Sequence, residues 1–144
     1  MDEQLRMLFD LQDAVKRLSN IVRVGKVHEV KSSAKEQKIR IVVGKDDKGE
    51  DVLSPWLYTS NKRGASREED RYEKGQNVLL VSPNGDQRQA GVMPWAESDE
   101  RTRPAHASDD SETYQFDKLR IRKKKESYEI WIEGGPKINL AADK

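Results

Sequence analysis

The side chains best suited to chemistry in this sequence are two histidines and several acidic runs, and they are widely separated. The histidines are His28, in a predicted strand, and His106, in a predicted linker, and the chain contains no cysteine. Nucleophilic catalysis and zinc binding both need such groups close together, so this spacing disfavours them. We predict no catalytic residue, no metal or cofactor site and no enzyme activity. The acidic runs fall in predicted loops, where we interpret them as solvated charge: Asp46-Asp47, Glu68-Glu69-Asp70 and Asp109-Asp110.

Three aromatic side chains and one basic run could instead bind nucleic acid. Trp56, Tyr58 and Trp95 could stack on bases, and the run from Arg122 to Lys125 could contact phosphates. Trp56 and Tyr58 share one face of a predicted strand, and Trp95 lies at a predicted domain edge, so we favour core or interface positions for all three. We interpret the basic run as a solvated turn. Binding of single-stranded nucleic acid stays open as the alternative function.

The composition favours small units that associate over one thick globular core. Of the 144 residues, 34% are hydrophobic and 37% are charged. Lysine and arginine total 27 against 26 acidic residues, so the net charge of +1 gives no general argument for nucleic acid or an anionic membrane as partner. The acidic start MDEQLRMLFD and the lack of a long apolar run predict neither signal-directed export nor a membrane span.

Residues 1–20 are predicted to form an amphipathic helix. Four apolar residues recur at spacings of three and four, which is the pattern of a coiled-coil seam. A lone helix of this length needs a surface to pack against, which could be other copies or its own domain. We predict that this stripe lies in a trimer interface: Leu8, Leu11, Val15 and Leu18.

Residues 21–96 are predicted to form a small five-stranded barrel of the OB type. Short segments with β-branched residues or period-two alternation are separated by turn residues, and one long polar connection at 61–74 is predicted to be an exposed loop and not core. The strands are predicted in the segments IVRVGKVHEV, KIRIVVG, LSPWLYTSN, NVLLVSP and RQAGVMPW.

The C-terminal part is predicted to consist of a linker at 97–112 and strands at 113–144. Three segments alternate apolar and polar residues: TYQFDKLRIRKK, ESYEIWIEGG and KINLAADK. Three short strands cannot form a domain alone, so we predict completion by other chains in an intertwined trimeric β-helix or prism; an unpaired tail is the alternative. The residues predicted to lie in this part of the trimer interface are Phe116, Leu119, Ile121, Ile130, Ile132, Ile138 and Leu140.

This order of parts resembles the baseplate assembly protein V family, the central-spike proteins of contractile phage tails. The resemblance covers about residues 5–95 and is carried by four motifs: a Gly-x-Val strand, a Ser-Pro-Trp-Leu strand, a Gly-x-x-Val hairpin arm and a Gly-x-hydrophobic return. They lie at Gly25–Val27, Ser54–Leu57, Gly75–Val78 and Gly91–Met93. The spike proteins of type VI secretion systems are similar in plan but much longer.

The resemblance implies an all-β homotrimer with a mechanical function. Its OB barrels would lie under the tail tube and hub, contacting baseplate proteins, and its C-terminal strands would pierce the host outer membrane on sheath contraction. The expected location is the tail baseplate of the virion or tailocin, after assembly in the host cytoplasm, with no nucleic acid bound. Some members end in an iron-binding His-x-His apex, which this chain lacks. We therefore expect a blunt tip that a separate cap protein could cover.

Overall fold

The computed structural model describes residues 2–142 and divides the chain into two compact units, Met1–Glu100 and Arg101–Lys144. The first unit contains one helix and six strands, and the second contains four strands. The elements are α1 (Glu3–Ser19), β1 (Val22–Ser32), β2 (Gln37–Lys45), β3 (Asp51–Leu53), β4 (Leu57–Thr59), β5 (Asn77–Val81), β6 (Gly91–Pro94), β7 (Glu112–Phe116), β8 (Leu119–Lys124), β9 (Ser127–Ile132) and β10 (Lys137–Ala141).

Helix α1 is held to its unit at its C-terminal end and has no buried residue. The Asp2 side chain caps its first turn by accepting from the Gln4 N–H at 3.3 Å. Near its other end, Gly85 of the β5–β6 connection lies so close that an added Cβ would be 2.5 Å from the Arg17 carbonyl oxygen. Since a helix of 17 residues is marginal alone in water, its exposed apolar side leaves it short of packing partners.

Five of the six strands of the first unit close into a barrel. The order is β1-β5-β6-β4-β2, and β2 pairs back to β1 to complete the ring. All these pairings are antiparallel except that of β4 with β6. Strand β3 pairs with the C-terminal half of β2 and is not part of the ring. The prediction of a helix followed by a closed five-stranded barrel is confirmed, and the barrel is compatible with an OB-like fold.

The barrel core is small and follows the predicted alternation. Ile39 and Ile41 are fully buried, whereas Lys38 and Arg40, which alternate with them, lie on the other side of the strand. The other buried apolar side chains are Val27, Leu57, Tyr72, Val78, Leu80, Ala90 and Val92.

Tyr72 corrects the prediction that residues 61–74 are exposed throughout. Its ring is 2% exposed in the core, and its hydroxyl donates to the Val92 carbonyl oxygen at 3.3 Å. Burial raises the pKa of this hydroxyl to about 12, with a smaller contribution from Asp70. The rest of the loop lies on the surface, so one aromatic side chain fixes an otherwise polar connection to the barrel.

The predicted third strand forms two short strands, because the residues between them do not follow the regular hydrogen-bonding pattern of the sheet. β3 ends at Leu53 and β4 begins at Leu57, with Ser54 fully buried between them. The Ser54 N–H donates to the Ile41 carbonyl oxygen at 2.9 Å, and the Ile41 N–H donates to Ser54 Oγ at 3.0 Å. The serine side chain thus takes the place of a strand carbonyl before Pro55, which has no N–H to donate.

We expect Ser54→Ala to destabilise the barrel by about 1–3 kcal/mol, because the Ile41 N–H would be left buried without an acceptor. Urea unfolding followed by circular dichroism measures this loss. Ser60→Ala, at an exposed position of the same unit, serves as the control. Equal stability of the two variants would contradict the role given to the Ser54 hydroxyl.

The second unit is a four-stranded antiparallel sheet in the order β10-β9-β8-β7, in which each strand pairs with the next along the chain. The sequence predicted three strands, and the segment TYQFDKLRIRKK in fact forms two. β7 and β8 are joined by Asp117 and Lys118, with Asp117 at a φ of 50° and Phe116 paired with Leu119. A tight turn of this kind accounts for the additional strand.

Candidate functional site

One face of the C-terminal sheet is mostly apolar, with Glu112 and Lys123 as the charged residues of its end row. The strand registers place Tyr114, Ile121, Ile130 and Ile138 in one row across all four strands. Neighbouring rows add five more side chains on the same side, since partners in register share a face. We call this set the apolar face: Tyr114, Phe116, Leu119, Ile121, Tyr128, Ile130, Ile132, Ile138 and Leu140.

The apolar face is largely open in the single chain. Phe116 and Ile132 are each 46% exposed, and Ile138 and Leu140 are 64% and 66% exposed. Contiguous apolar surface of this kind is uncommon on monomeric proteins and marks contact sites. The apolar face therefore resembles one side of a hydrophobic core, and its outer side chains are not covered by other described residues.

The opposite face of the sheet carries ion pairs around a buried carboxylate. Glu129 accepts from Arg122 Nε at 2.6 Å and lies 2.6 Å from Lys137 Nζ. Both cations also lie over the Trp131 ring, at 5.5 and 4.8 Å from its centroid. His106 contacts the same ring edge-on at 5.2 Å. We call Arg120, Arg122, Glu129, Trp131 and Lys137 the charged face.

The pKa of Glu129 is lowered from 4.5 to about 2, chiefly by its hydrogen bond with Arg122 and then by Lys137. The ionised carboxylate thus stabilises the folded sheet. This contribution is present above pH 4.5, the usual value, and is lost as the pH falls towards 2.

We expect Glu129→Gln to lower stability at neutral pH by about 1–2 kcal/mol, because two ion pairs at a partly solvated site are removed. The difference in stability between variant and parent should narrow as the pH falls from 4.5 towards 2, because Glu129 binds a proton in the unfolded parent before it does so in the folded parent. Thermal unfolding at a series of pH values measures both effects. A gap that stays constant down to pH 2 would contradict the role of ionised Glu129.

The structure places all seven predicted C-terminal interface residues on the apolar face. Tyr114 and Tyr128 share that face and were not predicted, although the same alternation included them. The four helix residues Leu8, Leu11, Val15 and Leu18 are 49–67% exposed. No contact within one chain shows what covers either set, so the trimer interface stays a prediction.

The predicted aromatic positions lie outside the barrel core. Leu57 points inward, whereas Tyr58 is 57% exposed and Trp56 is partly exposed. Cations lie over both rings: Lys38 Nζ is 4.7 Å from the Tyr58 centroid, and Arg40 Cζ is 5.6 Å from that of Trp56. Lys31 Nζ is 5.8 Å from the Trp56 centroid. Trp95 is also exposed. We call Lys31, Lys38, Arg40, Trp56 and Tyr58 the basic-aromatic surface.

The basic run from Arg122 to Lys125 belongs mainly to strand β8 and not to a turn. Arg122 pairs with Glu129, and Lys124 Nζ lies 3.2 Å from an Asp110 carboxylate oxygen. Two of its cations are thus occupied by the chain's own acids. The run is therefore a poor candidate for a phosphate site.

The remaining polar groups include surface ion pairs. Across residues 2–142, no three His, Cys, Asp or Glu side chains are grouped so that they could hold a metal ion. Two of the acidic side chains in the 61–71 loop are paired on the surface, Glu68 with Lys62 and Glu69 with Arg63.

Among residues 2–142, no helix has the length and apolar content needed to cross a membrane.

Neither known protein-family models nor curated proteins give a match to this chain.

Proposed function

We propose that this protein is a homotrimeric central-spike component of a contractile-tail baseplate. The observation that carries the proposal is the apolar face, which gives one chain a complete sheet with an uncovered half-core. Three copies around a threefold axis would turn these faces inward and form a triangular prism. The proposal also draws on the resemblance to the baseplate assembly protein V family that the motifs at Gly25–Val27 and Ser54–Leu57 carry.

Burial of the apolar face supplies a driving force of suitable size. Five of its side chains are 46–66% exposed, and covering half of such a side chain contributes about 1 kcal/mol. Three chains together would gain about 15 kcal/mol, which is of the same order as the cost of association, about 4–15 kcal/mol for each of the two association steps. Strands β7 and β10 are the edges of each sheet, so edge pairing between copies would also satisfy their free backbone groups.

A closed prism of this kind suits a mechanical function. Strand hydrogen bonds and a packed interior resist bending, which is what force transmitted through a spike requires. In the proposed assembly, the barrel unit contacts the tail hub, tube and baseplate proteins. The C-terminal prism meets the host outer membrane transiently during contraction, with or without a separate tip cap protein. The site of action is the virion baseplate, after assembly in the host cytoplasm.

The decisive experiment is light scattering coupled to size exclusion on the purified protein. We expect a mass three times that of the 16.5 kDa chain, unchanged by nucleic acid. Electron microscopy of the same sample should show a threefold particle with one elongated end. A stable monomer would overturn the proposal.

The second candidate function is a single-stranded nucleic-acid module of the OB type. The observation that favours it is the outward position of Trp56 and Tyr58 beside cations. A monomer whose binding to oligonucleotides falls with salt would identify this function.

A further inference from the structure

The basic-aromatic surface is built on three neighbouring strands of the barrel, with Trp56 in the segment between β3 and β4. Lys31 of β1 lies opposite Lys38 of β2, which in turn lies opposite Tyr58 of β4. Two lysines are therefore directly opposed across a strand pair, an arrangement that costs stability unless an anion lies between them. Glu36 offsets part of this cost, since its carboxylate is 3.3 Å from Lys38 Nζ.

Lys31 lies over Trp56 and, among residues 2–142, forms no ion pair with a carboxylate. No carboxylate of residues 2–142 lies within ion-pair distance of it, although Glu29 is on the same strand, opposite Arg40. A shallow pocket of about 120 Å³ opens beside it and is lined by Lys31, Ser33, Glu36, Lys38 and Trp56. Its volume accommodates a carboxylate side chain. Lys31 is a suitable donor for one, and Lys38 would be shared between it and Glu36, which also lines the pocket.

The rings of this surface hold cations in place and are not free platforms for stacking. Both Lys31 and Arg40 lie over Trp56, and Arg40 is fixed further by donating from Nε to the Ser54 carbonyl oxygen at 3.0 Å. A nucleobase would have to displace these cations before stacking on the indole. The geometry thus favours an anion that binds the cations themselves.

Some acidic side chains of this chain are poor candidates for the occupant. Several are already paired with local cations: Glu68 with Lys62, Glu69 with Arg63, Asp51 with Lys45 and Asp110 with Lys124. Drawing any of these onto another copy would break an existing pair. An acidic segment of a different protein could bind without breaking any of these four ion pairs.

We propose that the basic-aromatic surface is a docking site for an acidic segment of another protein, with a carboxylate entering the pocket beside Trp56 to pair with Lys31 and Lys38. The apolar edges of Trp56 and Tyr58 would contact the neighbouring side chains of that segment. This inference is independent of the spike proposal, since the surface lies wholly on one chain's barrel unit.

The test uses the full chain and a short fluorescent peptide of alternating glutamate and serine, followed by anisotropy. We expect binding at low salt that weakens at about 0.15 M ionic strength, where exposed charges are screened. Lys31→Glu/Lys38→Glu should weaken binding by about tenfold or more. Lys48→Glu/Lys125→Glu changes the net charge equally at two exposed turn positions and should leave binding within about twofold of the parent.

A second variant, Lys31→Gln/Lys38→Gln, removes the charges without reversing them and keeps the test valid if the glutamate variant does not fold. Thermal unfolding of every variant verifies the fold. Undetectable peptide binding at low salt, or equal losses in the lysine variants and the control, would overturn the proposal. A labelled oligothymidine that binds more tightly than the peptide would assign the surface to nucleic acid and would also overturn it.

Discussion

Substituting lysine for both Ile138 and Leu140 should abolish the proposed trimer while leaving the chain folded. In the single chain these side chains are 64% and 66% exposed, so lysines at both positions reach water and the sheet tolerates them. In the proposed prism the same positions face the interior, where an unpaired ammonium costs about 2 kcal/mol or more. Two such charges per chain should weaken association by at least about a thousandfold.

The matched control for this variant is Asn139→Lys. Asn139 lies between the two positions on β10, and its register partner Glu129 places it on the side of the charged face. The control therefore adds a lysine to the same exposed strand without entering the apolar face. Light scattering across a dilution series measures the mass, and circular dichroism checks the strands. A double variant that remains a trimer would place the interface elsewhere.

Gly25→Val should unfold the barrel unit at moderate temperature. A Cβ at Gly25 would be 2.8 Å from the Val42 carbonyl oxygen and 3.1 Å from Ile41 Cδ1. The first is a backbone atom of strand β2, so the clash cannot be relieved by a side-chain rotation. Overpacking of this kind costs about 1–3 kcal/mol or more, a large part of the roughly 5 kcal/mol expected for a small domain.

Gly44→Val provides the comparison, because Gly44 is on strand β2 and no atom lies within 4 Å of its added Cβ. We expect its midpoint of urea unfolding to stay close to that of the parent, whereas the midpoint for Gly25→Val falls sharply. Similar midpoints for the two variants would show that β1 and β2 can separate at little cost.

The period-two alternation was sufficient to predict the barrel core and the side of each strand that faces it. Ile39 and Ile41 alternate with Lys38 and Arg40, and the structure buries the first pair and leaves the second partly exposed on the other side of the strand. Such patterns are local, so they can be detected in a single sequence. The same reasoning placed Trp56 and Tyr58 on one side, but it could not distinguish the inside of the barrel from the outside.

Two features were missed because their causes are not local or are easily overlooked. Tyr72 is surrounded in sequence by charged residues, and its burial depends on Val92, 20 positions away. The turn at Asp117 and Lys118 lacks glycine, yet the alternation changes phase there. Phe116 and Leu119 are three residues apart and share a face, which a continuous strand would forbid.

Most residues of the apolar face could be predicted from the sequence, but their arrangement across all four strands could not. The alternation predicted seven of its members, whereas the four-strand register that joins them with Tyr114 and Tyr128 required the structure. Likewise, the link between Ser54 and Ile41 depends on a side chain replacing a backbone acceptor, which no propensity scale contains.

The in-chain pairing of β7 through β10 has a kinetic consequence for any assembly of this protein. Every strand of the C-terminal sheet finds its neighbour within the same polypeptide, so a chain can fold before it meets another. Assembly is then a concentration-dependent encounter of preformed parts. Differently labelled populations would exchange subunits by dissociation alone, without passing through a denatured intermediate.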